Sequence, residues 1–404
     1  MRLPIVFILA TVGIDAIGIG LILPIMPALL IEVSGNTLAD SAIWGGVLAT
    51  AFAVMQFLFG PVVGNLSDAY GRRPVLMFAL AVMALDYVFM AVADTVWLLL
   101  AGRVIAGLAA ATHTTANAFM ADISEKDDRS RRFGMVGAAF GVGFVAGPIL
   151  GGLLAGIDTR APFWAAAGLA LANLVFGYFV MPETVTKATR RPFSWARGNP
   201  LSAVRAVGKL PGSKRLLTVL GLYTLALFSY PAIWAFYGKA AFGWSEGMIG
   251  LSLSLFGVSM AISQGALVAP AIRVLGQRGT VVAAMLADLV AFSILITTGS
   301  GTMALIATPI ASLSSVLMPA LQGILANQTP DDQQGELQGV IASVMALATI
   351  IAPLIMTTVF AYFTRPAAAT PFPGAPFAVA AGLVILALAV FLTSPRAAPS
   401  PSGA

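Results

Sequence analysis

Long apolar runs separated by short polar breaks make up most of the chain. Twelve can be traced, at residues 4–30, 42–64, 74–93, 96–121, 133–157, 160–182, 215–239, 246–272, 279–298, 302–327, 336–363 and 374–394. Each reaches the length of about 20 residues that a helix needs to cross the hydrocarbon core of a bilayer. The alternating ten-residue pattern of a transmembrane barrel is absent. The first run starts almost at the N-terminus and is too long for a cleavable signal peptide, so it reads as the first span. One polar interruption is long, the basic, Pro- and Gly-containing stretch "ETVTKATRRPFSWARGNPLSAVRAVGKLPGSK". The pattern predicts an all-α membrane protein with a six-helix bundle at 1–182, a linker at 183–214, a second six-helix bundle at 215–394 and a disordered Pro/Ser/Ala-rich tail at 395–404.

The halves echo each other at an offset of about 205 residues: Gly71 in "YGRRP" against Gly276 in "LGQRG", Gly134 against Gly339, and Pro148 against Pro353. Duplication predicts two pseudo-symmetric bundles. Composition agrees, since 59% of the 404 residues are hydrophobic and 10% charged, with a mean hydropathy of +0.93. A soluble domain cannot hide that much apolar surface, whereas lipid solvates it.

The net charge of +5 would point to nucleic acid if the charges lay on one solvated face. They lie instead in alternate loops. Of the 22 Lys and Arg, Arg160, Lys239 and Arg365 fall in the other loops and Arg103 lies inside a span. The positive-inside rule then predicts both termini in the cytoplasm and makes the basicity a matter of topology, with lipid as the partner and no nucleic acid. The absence of cysteine rules out disulfides, thiolate metal sites and a Cys nucleophile. No P-loop, H-E-x-x-H or G-x-S-x-G is present, so neither ATP drive nor an enzyme is expected. With one histidine there is no ligand set for a resident metal and no resident cofactor is expected. The sequons at Asn65 and Asn327 fall on the predicted cytoplasmic side and carry no meaning.

Four ionisable side chains interrupt the apolar spans: Asp15, Asp86, Arg103 and Asp288. Each costs about 2.5–3.5 kcal/mol at a helix centre on insertion scales. A buried Asp–Arg pair would account for Arg103 and one aspartate. It cannot neutralise three carboxylates, so at least one is protonated or faces water. A carboxyl group stripped of water holds its proton more readily, which suits it to carry protons. The single histidine, His113, sits in "ATHTTANAF" with Asn117 one turn on; Arg103, Gly107, Ala110, Thr114 and Asn117 follow helical spacing and are expected to share a face. His113 reads either as a hydrogen-bonded packing residue or as a relay or cargo ligand. Tyr223, Tyr230 and Tyr237 recur along span seven with Trp234. Tyr237, near the span end, reads as an interfacial belt residue. Tyr230 and Trp234 lie deeper and suit stacking on a planar ligand. Gln56, Gln264 and Gln322 offer neutral hydrogen-bonding groups in spans two, eight and ten.

These motifs form a recognisable set. "GNLSDAYGRRP" resembles the signature loop between helices two and three of the major facilitator superfamily. "GFVAGPILGG", with Gly143, Gly147, Pro148, Gly151 and Gly152, resembles the helix-five antiporter motif of its drug:proton exporters, and Arg103 in "AGRVIAG" matches their helix-four arginine. "GIDAIGIGLILPIMPALL", "LMFALAVMALDY", "MPALQGILANQT" and "QGELQGV" are similar to the bacterial tetracycline efflux family, along nearly the whole chain. The resemblance implies two six-helix bundles around a central cavity, in the bacterial inner membrane. It implies export of a drug, carried in that family as a divalent-metal chelate, in exchange for protons, by a protein expected to be monomeric. It also implies that Asp15, Asp86 and Asp288 serve transport. Two positions depart: Met260 in "FGVSMAISQ" stands where the family has histidine, and His113 where it has glycine. An exporter of an endogenous metabolite such as a sugar or siderophore, and a non-transporting receptor on the same fold, are the competing readings.

The hinge "GNLSDAYGRRPV" gains a role in this frame. A gate latch must hold one arrangement by a few kcal/mol and still release it. Asp68 can pair with a neighbouring helix end, Gly71 permits the tight turn, and Arg72 and Arg73 can reach a carboxylate or a helix C-terminus. The repeat "IRVLGQRG" keeps Arg273 and Arg278 and lacks the aspartate, so the expected latch is asymmetric.

Overall fold

The computed structural model describes residues 2–110, 112–124, 128–186, 190–194, 214–368 and 370–394, and these are helical apart from connections. Most of the linker and the tail beyond Ser394 lie outside the described residues. In chain order the spans are Arg2–Ile22 with Met26–Ser34, Leu38–Tyr70, Arg72–Val92, Val96–Ala109 with Thr112–Asp122, Arg129–Ala155, Ala161–Val180 and Lys214–Leu227 with Ser229–Phe242. Then follow Glu246–Ile262, continued by a π turn at Ser263–Leu267, Val268–Thr297, Gly301–Ser312 with Leu317–Asn327, Gln334–Thr364 and Ala375–Leu392. Within Val268–Thr297, Gly276 takes φ 68° and ψ 168°, which divides span eight from span nine. Eleven continuous apolar stretches, one of them so divided, make twelve crossings.

Local chemistry sets where the helices begin and break. Thr37, Thr95 and Ser245 cap helix N-termini by accepting from Asp40, Leu98 and Met248 N–H groups. Gly35 and Gly243 close C-termini in the left-handed conformation. Pro231 lacks the N–H that would bond Leu227, and span seven is interrupted at Phe228. Span one is interrupted at the corresponding place, residues 23–25, around Pro24. Span two is longer than its apolar run, reaching Tyr70. Span four is not one continuous helix, since it breaks at Ala110. The expected single face from Arg103 to Asn117 is therefore interrupted, and Gly107 faces the span-two backbone at Phe52.

The halves meet along two seams, span two against span eleven and span five against span eight. At the end away from the linker the backbones approach so closely that no side chain fits. Gly46 lies on Thr357 and Pro353, Gly152 on Glu246 and Gly247, and Gly250 on the Pro148 carbonyl. Two hydroxyls cross the seams, Thr50 donating to the Ile350 carbonyl at 2.9 Å and Ser254 to the Val145 carbonyl at 2.6 Å. Thr50 and Ser254 are equivalent under the repeat, as are Val145 and Ile350. Asp40 pairs with Arg365 at 3.3 Å over this end, the ion pair that links the halves among the described residues. Toward the linker end the same helix stripes face open space, at Gly60 and Gly64 on span two and at Gly134, Gly137 and Gly141 on span five. The molecule is sealed at the far end and open at the linker end.

Candidate functional site

Where the seams end, a cavity of about 340 Å³ opens between the halves. Its wall is built from Phe228, Tyr230, Pro231 and Trp234 of span seven, Phe256 and Met260 of span eight and Thr308 of span ten, with Leu23 and Phe144 reaching in from the first half. The two interrupted helices thus meet there, because Leu23 and Phe228 are the residues at the breaks. Tyr230 stacks on Phe292 with ring centroids 5.3 Å apart and on Phe256 at 6.1 Å. Trp234 is held edge-on to Phe377 at 6.3 Å, and its Nε1 donates to Ser252 at 2.8 Å. Of the cargo residues read from sequence, Tyr230, Trp234 and Met260 are on this wall. Gln264 is exposed on the π turn, Gln56 is exposed and donates to the Ala110 carbonyl at 3.4 Å, and Asn117 and Gln322 are half-buried, all four off the wall. The side chain of His113 lies outside the described residues. Tyr237 is not an interfacial belt residue: it is 1% exposed and donates to the Leu295 carbonyl at 2.7 Å.

The four membrane charges separate into three environments. Asp86 and Arg103 form a buried ion pair between spans three and four. Arg103 also contacts the Met90 sulfur at 3.2 Å, lies over the Phe52 ring and lines a smaller cavity of about 140 Å³, which shares Leu23 and Pro231 with the first. Asp15 is half-buried on span one, within electrostatic reach of the buried Tyr87 phenol. Asp288 is 1% exposed on span nine and accepts from the Tyr223 hydroxyl at 2.8 Å, while its other oxygen has no partner. The Tyr230 phenol feels the Asp288 carboxylate and is itself buried without a partner. Asp288 is thus not itself on the wall, but is within electrostatic reach of Tyr230, which is.

The glycines of span five serve close packing. Gly143, Gly147 and Gly151 lie against the span-one backbone at Gly13, Ile17 and Leu21, while Pro148 and Gly152 meet span eight. A side chain on this stripe would wedge span five from span one or open the far seal.

At the linker end, the hinge residues are tied within the first half. Arg72 pairs with Asp68 at 2.5 Å and with Asp122 at the end of span four at 3.2 Å. Arg73 donates to the Tyr178 carbonyl at 2.6 Å, at the end of span six. Glu183 accepts from the Arg72 and Arg73 N–H groups at 2.9 and 3.2 Å, capping span three, and lies where a side chain on Gly71 (φ 117°) would sit. Asp122 and Glu183 were not singled out by sequence; they follow two apolar runs immediately, which is the signal that could have found them. Nor were Thr50 and Ser254, and Tyr223 reads from sequence as a member of the span-seven tyrosine stripe without a role of its own.

The Major Facilitator Superfamily profile matches residues 8–239 and again 216–404. The chain is 40% identical over 384 residues to the tetracycline resistance protein, class C, of Escherichia coli, covering 95% of each. It superposes on the crystal structure of the human organic anion transporter MFSD10 (TETRAN) with a TM-score of 0.70 and 25% identity, over 96% of this chain and 99% of that one. It also shares the fold of a bacterial homologue of the lysosomal transporter Spinster, in an inward-facing unoccupied conformation, with a TM-score of 0.78 at 16% identity and 98% of both chains covered.

Proposed function

The chain belongs to the Major Facilitator Superfamily as an efflux transporter, and from that premise we propose that it exports tetracycline-like or other planar, amphipathic drugs from the cytoplasm in exchange for protons. The aromatic wall between the halves is the observation that carries the reading. It presents rings of Tyr230, Trp234 and Phe256 to the cavity, and flat apolar cargo stacks on such rings. A sugar or siderophore requires a wall studded with hydrogen-bonding groups, and here Tyr230, Trp234 and Thr308 are the polar side chains among those that line it. Any Mg²⁺ that travels with the cargo is held by the cargo, since a thioether such as Met260 is a soft ligand and the wall has no carboxylate.

In this reading the linker end faces the cytoplasm and the cavity is open to it. Asp288 is the coupling acid: cargo on the Tyr230 side and a proton on the carboxyl exclude each other, which is the linkage that antiport requires. Asp15, half-buried in the other half, serves cargo binding, and the Asp86–Arg103 pair holds the first half together. The hinge network at Asp68 and Arg72 secures the cytoplasmic ends of spans two, three, four and six as one body that moves against the second half.

The test is proton release from the reconstituted protein in weakly buffered medium on adding a drug panel that includes tetracycline with Mg²⁺. Release is expected with planar drugs and not with sugars. Alanine at Tyr230 or Trp234 should weaken drug binding by about 1–2 kcal/mol, the range of aromatic-pair energies. Sugar-triggered release with no response to planar drugs would replace this reading by the metabolite exporter.

A further inference from the structure

Three tyrosines of span seven point their hydroxyls to different ends. Tyr237 donates to a backbone carbonyl, that of Leu295. Tyr230 is on the cavity wall, stacked on Phe292, which lies one turn along span nine from Asp288. Tyr223, 1% exposed, donates to Asp288 Oδ2 at 2.8 Å and lies 3.4 Å from the Ser314 carbonyl. Asp288 Oδ1 is buried without a partner. The titratable groups that face Asp288 are the Tyr223 and Tyr230 phenols, both from span seven. Span nine itself has no other charged side chain beyond Arg278 near its start. Span ten contributes Ser314, and neither span ten nor span twelve contains a charged residue.

The Ser314 hydroxyl also lies close to the carboxyl group, but it donates to the Ala311 carbonyl at 2.6 Å, so the Tyr223 phenol is the donor that Asp288 receives. Because Tyr223 donates to Oδ2, the proton is left to Oδ1. We propose that Tyr223 is the positioning residue of the coupling acid: it holds Oδ2, so that Oδ1 is the oxygen that takes and releases the proton beside Tyr230. The inference rests on the reading of Asp288 as that acid. On release, the O–H bond at Oδ1 breaks, the proton leaves to solvent and the negative charge stays on the carboxylate, where the phenol O–H stabilises it. A hydrogen bond to the charged form favours that form, so its removal makes the carboxyl group ionise at higher pH.

Infrared spectroscopy on the full chain reconstituted in lipid tests this without any cargo. The protonated-carboxyl band that Asp288→Asn removes is followed as pH is raised. Tyr223→Phe, which keeps the ring, should move the midpoint of that band upward by about one to two pH units, the worth of a hydrogen bond to a charged group. Tyr237→Phe removes an equally buried phenol bond on the same span and should leave the midpoint in place, so a general loosening of span seven is distinguished from positioning. A Tyr223→Phe midpoint that coincides with wild type overturns this inference and leaves the coupling role of Asp288 standing. If Asp288→Asn removes no titrating band, the coupling role fails and the inference fails with it.

Discussion

The hairpin between spans two and three and its counterpart between spans eight and nine share one geometry and differ in charge. Each turns on a glycine at positive φ, Gly71 at 117° and Gly276 at 68°. In each, an arginine donates to a carbonyl at the end of the sixth span of its half and lies over that residue's ring: Arg73 on Tyr178, and Arg278 on Phe391 at 2.9 Å. The neighbouring position differs. Arg72 reaches Asp122 at 3.2 Å, and the residues at the equivalent places, Gln277 and Asn327, bond at 3.3 Å without charge. A neutral amide pair therefore spans the same distance as the ion pair. The hinge geometry alone thus does not demand the charges of the first hairpin. The same contrast recurs inside the membrane, where Asp86 of the first half has Arg103 and Asp288 of the second has a phenol. Asp86 is compensated by a cation, whereas Asp288 is held by a neutral donor and has no ion pair to break.

The contrast can be broken most forcefully at Arg103. Arg103→Ala leaves Asp86 buried and unpaired, which should destabilise the protein by about 3–5 kcal/mol. The double variant Asp86→Leu, Arg103→Leu should recover most of that loss, because matched apolar residues replace the pair. Thermal unfolding in detergent reads both, and an Arg103→Ala protein as stable as wild type would deny the pair its structural role.

The hairpins come next. Asp68→Asn and Arg72→Ala should each cut transport by about tenfold or more, the worth of a charge-assisted hydrogen bond, with expression near normal. Gln277→Ala should keep most of it. Transport above half of wild type in both first-half variants would reduce that hairpin to a turn. The smallest effect is expected where the halves are alike. Thr50→Val and Ser254→Ala each remove one hydroxyl bond across the far seal, worth about 0.5–1.5 kcal/mol, and should shift the population toward opening at that end by similar amounts. The cysteine-free chain accepts paired spin labels across the far end, and distances measured between them would report the shift. A large effect from one hydroxyl and none from the other would refute a symmetric seal.

Hydropathy made the twelve helical crossings legible, because lipid leaves few ways to bury so apolar a chain. The burial of Asp86 with Arg103 was legible as a possibility, since an arginine in a span needs a counter-charge. The choice of aspartate was not, because it depends on how span three packs against span four. Tyr223 and Tyr237 carry the same residue type at the same helical spacing, yet one meets a carboxylate and the other a carbonyl. Helix rotation and the break at Phe228 decide that, and neither is written in periodicity. Thr50 and Ser254 look like ordinary span residues until the repeat offset sets them side by side.

The central claim is that the proton travels on the acid of the second half. Proteoliposomes of Asp288→Asn, given tetracycline with Mg²⁺ and an imposed pH gradient, test it most directly. The account predicts that exchange of preloaded drug persists while uphill accumulation driven by the gradient is lost. Full gradient-driven accumulation in the Asp288→Asn protein would contradict it.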